Sequence, residues 1–115
     1  MKKLFLAISL LALSTGSYAA DAAHGDQLYK LYCTQCHGVN GDGKGVNAAT
    51  MSVAPRDHTD TKEMSARTDE ELFKVIQQGG KAINKSILMP VWGGNFTDDD
   101  IHSLVAHLRE LCCKK

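Results

Sequence analysis

The stretch Cys33-Thr34-Gln35-Cys36-His37 decides the fold of this 115-residue chain. Two thiols three positions apart can each add to one vinyl group of the same porphyrin. The imidazole that follows is then carried to the iron as its proximal ligand. C-x-x-C-H is typical of c-type haem attachment, so the sequence predicts a haem c bound through Cys33 and Cys36.

Two other kinds of site use cysteines at this spacing. A thioredoxin-like dithiol is expected near a βαβ unit, and no strand pattern surrounds the motif. Half of a zinc site needs a second pair of ligands. His58 and the C-terminal cysteines could supply that pair only across irregular distances, so haem attachment is favoured.

Residues 1–19 have the pattern of a secretory signal peptide. Lys2 and Lys3 form a charged start, an apolar run of about ten residues follows, and Ala19 marks a cleavage site with small residues. A membrane-spanning helix takes about 20 apolar residues, twice the length of this run. We expect cleavage after Ala19, export to a periplasm, and a mature domain over 20–115 that is not inserted in the membrane.

The mature domain is close to neutral in charge. Of the 13 basic side chains, 11 remain after the two signal-peptide lysines are removed, and they face 13 acidic ones, which gives a net charge of −2. Nucleic acids and anionic membranes attract basic surfaces, so neither is expected as a partner. A chain this short builds only a small core, which suits a fold completed by a bound cofactor.

Apolar residues at helical spacing predict three main helices. The first covers 25–36 and leads into the haem motif, with Gly25 serving as a cap, a close backbone crossing or an exposed turn. The second begins with a capping box formed by Thr68 and Glu71. The third begins at Thr97 as its N-cap and runs toward the C-terminal cysteines.

Met89 is the candidate for the distal ligand of the iron. Pro90 keeps it extended rather than helical, and Trp92 with its flanking glycines indicates a loop held against an apolar surface. A thioether ligand raises the reduction potential relative to a second imidazole. Met51 and Met64 are competing sulfurs without a following proline, and the ordinary role of a methionine is to fill a core.

Pro55 is a candidate for orienting the proximal imidazole. A metal-bound histidine needs an acceptor for its other ring N–H. Proline cannot donate a backbone hydrogen bond and interrupts regular structure, which leaves its carbonyl free to accept. His58 lies just after this bend. Of the histidines outside the motif, it is the strongest competitor of Met89 for the role of distal ligand. We expect it, like the other histidines outside the motif (His24, His102 and His107), to serve packing or the surface.

The C-terminal pair Cys112 and Cys113 remains after haem has consumed the other two cysteines. Adjacent Cα atoms lie about 3.8 Å apart, below the usual disulfide range. The hypothesis is therefore that Cys113 forms an intermolecular disulfide, giving a covalent dimer or a tether. The alternatives are a monomer and two incidental thiols.

The C-x-x-C-H motif, Met89-Pro90 and the apolar C-terminal helix together resemble the class I monohaem c-type cytochromes. The resemblance covers 25–111 and implies an all-α small cytochrome c fold. In that fold three to five helices wrap around one covalently bound haem, and the N- and C-terminal helices cross. It implies that Cys33 and Cys36 carry the thioethers and that His37 and Met89 are the metal ligands.

The same resemblance implies three further roles. Gly25 and Tyr29 match the glycine and aromatic residue at which the first helix crosses the last. His107 stands where an aromatic residue is usual. The Pro55 carbonyl matches the acceptor of the proximal imidazole N–H.

The function implied is electron transport rather than enzymatic catalysis. We expect a soluble periplasmic carrier whose iron cycles between Fe(III) and Fe(II) and passes single electrons between redox protein partners by outer-sphere transfer. The alternative is a gas-binding haem sensor or a redox-enzyme subunit in which Met89 is labile. Trp92 is expected to help line the haem site.

Overall fold

Five α-helices surround the candidate site in the computed structural model, which describes residues 20–114. No helix in this part of the chain is both long and apolar enough to cross a bilayer. The predicted signal peptide lies outside the described residues. The helices are α1 (Ala22–Tyr32), α2 (Thr34–His37), α3 (Thr61–Ser65), α4 (Asp69–Gln78) and α5 (Asp98–Cys113), with 3₁₀ turns at Ala48–Thr50 and Gly80–Ile83. The predicted all-α fold is confirmed.

The first helix differs from its predicted bounds at both ends. The Asp21 carboxylate accepts hydrogen bonds from the backbone N–H groups of Ala23 and His24, at 3.0 and 3.3 Å. This N-cap starts the helix three residues before Gly25. At its other end the helix stops before Cys33, and α2 begins as a separate short helix that carries the rest of the motif. The prediction of one helix over 25–36 is therefore wrong in its bounds.

The caps of α4 and α5 are as predicted. The Thr68 hydroxyl accepts from the Glu71 N–H at 3.1 Å, and the Glu71 carboxylate accepts from the Thr68 N–H at 2.8 Å. Thr97 and Asp100 form the same reciprocal pair at 3.1 and 3.0 Å. Both helices thus begin with two of their otherwise unpaired N–H groups satisfied.

Helices α1 and α5 cross in close contact, the largest contact between any two helices of the described chain. At Gly25 an added Cβ would lie 1.9 Å from the Ser103 carbonyl oxygen, so the backbones meet too closely for a side chain. Of the three roles considered for Gly25, the close crossing is the correct one. Tyr29 packs beside it against His107, with ring centroids 5.0 Å apart, so an imidazole fills the usual aromatic position.

The core lies between α5 and the helices packed on it. Met64 of α3 and Ile101 and Leu104 of α5 are the largest fully buried side chains. Met64 therefore has the gap-filling role typical of a methionine. The remaining buried apolar residues are Tyr29, Leu72, Ile76, Val105, Leu108 and Cys112.

Arg109 of α5 fastens the α3–α4 connection. Its guanidinium donates hydrogen bonds to the carbonyls of Met64 and Arg67, at 2.8 and 2.6 Å, and to the Asp69 carboxylate at 2.7 Å. A planar guanidinium with several fixed donors suits such a three-way contact.

The C-terminal cysteines are bonded to each other in the structure. The prediction that Cys113 is free for an intermolecular disulfide is therefore wrong for this chain as folded. The prediction took a Cα separation of about 3.8 Å as too short for a disulfide, and the structure has the bond at a separation of 3.7 Å. Both cysteines lie at the C-terminal end of α5, which ends at Cys113.

Candidate haem site

A cavity of about 600 Å³ opens beside the C-x-x-C-H motif. Its wall brings together all six residues that the sequence analysis selected for the site, which are Cys33, Cys36, His37, Pro55, Met89 and Trp92. The wall is mainly apolar, as expected for a cofactor site.

The His37 imidazole has a fixed tautomer. Its Nδ1 atom lies 3.0 Å from the Arg56 carbonyl oxygen. A carbonyl can only accept, so Nδ1 carries the hydrogen and donates. Burial lowers the pKa of His37 below its usual value, so the ring is neutral near pH 7 and Nε2 keeps a lone pair for a metal.

The acceptor of this bond is Arg56, one residue after the predicted one. Pro55 lines the cavity, but its carbonyl lies against the glycine-rich loop, where an added Cβ on Gly43 would be 2.8 Å from it. The prediction that Pro55 accepts from the imidazole is therefore wrong. The acceptor nevertheless lies in the predicted bend, because Arg56 directly follows Pro55.

The glycine-rich loop folds back over α2 and pairs with its carbonyl groups. Gly43 N–H donates to the His37 carbonyl at 2.8 Å, and Gly45 N–H donates to the Cys36 carbonyl at 3.1 Å. At Gly45 an added Cβ would lie 2.3 Å from the Gln35 carbonyl oxygen. The loop thus needs glycine here in order to satisfy the backbone of the motif.

The two motif cysteines do not resemble a redox dithiol. Burial, with a smaller contribution from the neighbouring Cys36, raises the pKa of Cys33 to about 12. Reactive dithiols have a lowered cysteine pKa instead. Within residues 20–114 no group of three His, Cys, Asp or Glu side chains is placed to hold a metal ion.

Met89 is partly buried and packs against the core. Its backbone is fixed because its carbonyl accepts a hydrogen bond from Gly80 N–H at 3.2 Å. Met51 also lies on the cavity wall, and its backbone N–H donates to the Ala48 carbonyl at 3.1 Å. Both residues line the cavity, whereas Met64 is enclosed in the core.

Trp92 anchors the loop that carries Met89. The backbone N–H of Trp92 donates to the Ile76 carbonyl at 3.1 Å. Its ring stacks on Phe96, with centroids 5.0 Å apart and planes at 13°, and packs near Tyr32. This agrees with the interpretation of a loop held against an apolar surface.

The histidines outside the motif have other contacts. His24 pairs with Asp100 at 2.7 Å, and His102 packs on Phe73. His58 does line the cavity, but its ring is stacked face to face on His37, with centroids 4.2 Å apart. It lies beside the proximal ligand rather than across the cavity from it.

Arg67 is a cavity residue that sequence reasoning missed. It lines the cavity, and its buried Nε has no hydrogen-bond partner among the described residues. A buried guanidinium nitrogen without an acceptor is costly, and a haem carboxylate would supply one. No motif identifies this arginine, since only the folded chain brings it to the cavity.

A protein-family model described as "Cytochrome C oxidase, cbb3-type, subunit III" matches residues 20–108. The chain is 30% identical to cytochrome c6 of Picosynechococcus sp., over 96% of this chain and 94% of that protein. The chain belongs to the monohaem c-type cytochrome family. This cytochrome is also 23% identical to cytochrome c6 of Thermosynechococcus vestitus, over 99% of this chain and 96% of that one.

Two solved structures share the fold of this cytochrome. The c-type cytochrome KustC0563 superposes with a TM-score of 0.63 at 23% identity, covering 76% of this chain and 96% of that one. A chain of the Kuenenia stuttgartiensis reducing HAO-like protein complex gives a TM-score of 0.62 at 28% identity, covering 77% of this chain and 41% of that one.

The residues of the cavity fit the cofactor of the family. Cys33 and Cys36 supply the two thiols, His37 supplies a neutral imidazole, and the Arg67 guanidinium supplies an unpaired donor for a carboxylate. This cytochrome therefore carries one covalently bound haem c and is an electron carrier rather than an enzyme.

Proposed function

We propose that this chain is an exported, periplasmic electron carrier in which His37 and Met89 are the axial ligands of the haem iron. The observation that carries the proposal is one cavity whose wall contains both motif thiols, a neutral imidazole with a fixed tautomer, and a thioether on an anchored loop. Imidazole with thioether is the ligand pair of cytochromes c with raised potential.

Each residue of the site has a separate task in this proposal. Cys33 and Cys36 hold the cofactor by thioether bonds, so that it cannot dissociate. His37 is kept in its ligating tautomer by the Arg56 carbonyl. Met89 is kept in place by the hydrogen bond to its carbonyl and by the packing of its loop. Bound haem supplies an iron that alternates between Fe(III) and Fe(II).

Transfer is outer-sphere in this proposal because both protein ligands stay in place. A thioether favours the ferrous state relative to an imidazole. No side chain is needed as base or nucleophile, and no position at the iron is left open to a substrate.

Redox partner proteins dock at the mouth of the cavity. Val53 and Leu88 line the cavity and are about half exposed, at 51% and 48%. Exposed apolar residues at a cofactor site favour a dry contact with a partner surface. Electron-transfer complexes use small and weak interfaces, which suits rapid exchange of partners.

Export follows from the signal-peptide pattern of residues 1–19. Sequencing the N-terminus of the protein purified from cells tests it. The expected mature N-terminus is Ala20, and a protein that retains Lys2 and Lys3 would contradict the proposal.

Carbon monoxide binding tests whether Met89 occupies the distal position at the iron. The reduced holoprotein at neutral pH is mixed with carbon monoxide, and its absorption spectrum is recorded. If Met89 is bound to the iron, we expect the reduced protein to bind little carbon monoxide. Fast, stoichiometric binding would contradict the carrier and favour a gas sensor with a labile distal ligand.

A further inference from the structure

His58 is a buried polar side chain that the proposed electron transfer does not use. It is 8% exposed, and its ring lies face to face with that of His37, at a centroid distance of 4.2 Å and an interplanar angle of 22°. A buried polar group is costly unless it is hydrogen-bonded, so the bond between the His58 ring and the Tyr29 hydroxyl is needed to keep it there.

His58 is hydrogen-bonded through both its ring and its backbone. Its Nδ1 shares a hydrogen bond of 3.0 Å with the Tyr29 hydroxyl, and Tyr29 is itself 3% exposed at the α1–α5 crossing. The backbone N–H of His58 donates to the Gly41 carbonyl at 2.7 Å. The ring is therefore part of the packed interior and cannot swing away from His37 without breaking its hydrogen bond to Tyr29.

The segment 56–58 contacts the proximal imidazole twice. The Arg56 carbonyl accepts from the edge of the His37 ring at Nδ1, and the His58 ring covers one of its faces. The edge contact selects the tautomer. It still permits the ring to tilt, because a hydrogen bond tolerates a range of angles. The face contact restricts that tilt.

We propose that His58 is a positioning residue that fixes the plane of the His37 imidazole at the haem iron, anchored for this role by Tyr29. The proposal rests on the proposed function, in which His37 is the proximal ligand. Groups behind a metal-bound histidine orient its ring and tune the metal.

The test compares two substitutions in the ferric holoprotein by electron paramagnetic resonance, since the g-values respond to the orientation of the axial imidazole. His58→Leu removes the ring and its hydrogen bond. His58→Phe keeps a ring against His37. His102→Leu is the matched control, because His102 is an exposed histidine that packs on Phe73.

We expect His58→Leu to shift the g-values most. His58→Phe keeps a ring but loses the bond to the Tyr29 hydroxyl, so we expect a smaller shift, and His102→Leu is expected to keep the wild-type g-values. A His58→Leu protein with wild-type g-values would overturn the proposal. So would a His58→Phe protein that shifts as far as His58→Leu, because the ring would then not be what positions His37.

A second variant covers the case in which His58→Leu does not fold. Tyr29→Phe keeps the packing and removes only the hydroxyl that anchors Nδ1 of His58. We expect it to shift the g-values in the same direction by a smaller amount, and unchanged g-values would count against the role of Tyr29 as anchor and so against the proposal.

Absorption in the far red separates this inference from the proposed function. If the sulfur-to-iron charge-transfer band is absent from the wild-type ferric protein, the proposed function fails at Met89, while the g-values still test the role of His58 at His37. If the band is present in the wild type and the variants while all g-values agree, only the role of His58 fails.

Discussion

The Nδ1 atom of His37 lies 3.0 Å from the carbonyl oxygen of Arg56, 19 positions along the chain. This one bond determines which ring nitrogen keeps its lone pair, because a carbonyl cannot donate. The C-x-x-C-H motif brings the histidine to the cofactor, and a distant turn of backbone sets its tautomer.

The Gly25 contact predicts a loss of stability on adding a single methyl group. Gly25→Ala places a Cβ 1.9 Å from the Ser103 carbonyl oxygen, so α1 and α5 must separate. Overpacking costs about 1–3 kcal/mol, more than the gain of up to about 1 kcal/mol that alanine brings to a helix. Denaturant unfolding of the holoprotein measures the loss.

Gly94→Ala is the control for this substitution, because nothing lies within 4 Å of the added Cβ. It is expected to change the free energy of unfolding by less than about 0.5 kcal/mol. A Gly25→Ala protein as stable as Gly94→Ala would show that the two helices do not meet as described.

The Arg109 contacts predict that a lysine cannot replace this arginine. Arg109→Lys keeps the charge but loses the planar fork that reaches Met64, Arg67 and Asp69. We expect a loss of about 2 kcal/mol in the free energy of unfolding, since a hydrogen bond from a charged donor contributes about 1.5–3 kcal/mol.

Lys114→Ala provides the comparison for Arg109. Lys114 is exposed and 3.9 Å from the Glu110 carboxylate, and such surface pairs contribute about 0–1 kcal/mol. Equal unfolding midpoints for Arg109→Lys and the wild type would contradict the three-way contact.

Burial of His107 predicts a loss of stability in acid. Burial lowers the pKa of His107, outweighing the Asp26 and Glu110 carboxylates that raise it, while the Lys30 ammonium lowers it further. The unfolded chain therefore binds the proton more tightly, and the free energy of unfolding falls as the pH drops below about 6.5.

The contribution of His107 is measured by the slope of unfolding free energy against pH. His107→Phe keeps a ring against Tyr29 and removes the titrating group, so it is expected to have a shallower slope than the wild type. His102→Phe, on the exposed side of α5, is expected to keep the wild-type slope. Identical slopes for all three proteins would contradict the prediction.

Local chemistry made much of this fold predictable. The capping boxes at Thr68 and Thr97 depend only on residues three positions apart, and both are present. The C-x-x-C-H motif also carries its chemistry within five residues, and the comparisons with known proteins confirm the family that it indicated.

The wrong predictions depend on contacts between distant residues. The acceptor for His37 shifted from Pro55 to Arg56 because the glycine-rich loop lies against the Pro55 carbonyl. The stacking of His58 and the position of Arg67 also depend on the folded chain. Asp21 was missed for a different reason, since it precedes the first apolar residue of the pattern used to find the helix.

The choice of Met89 over Met51 is the central claim about the site, because both residues line the cavity. Far-red absorption of the ferric holoprotein tests it directly, in the wild type, in Met89→Ala and in Met51→Leu. We predict the sulfur-to-iron band in the wild type and in Met51→Leu, and its loss in Met89→Ala. A band that survives Met89→Ala, or a low-spin wild type that lacks the band, would contradict the assignment of Met89 as the distal ligand.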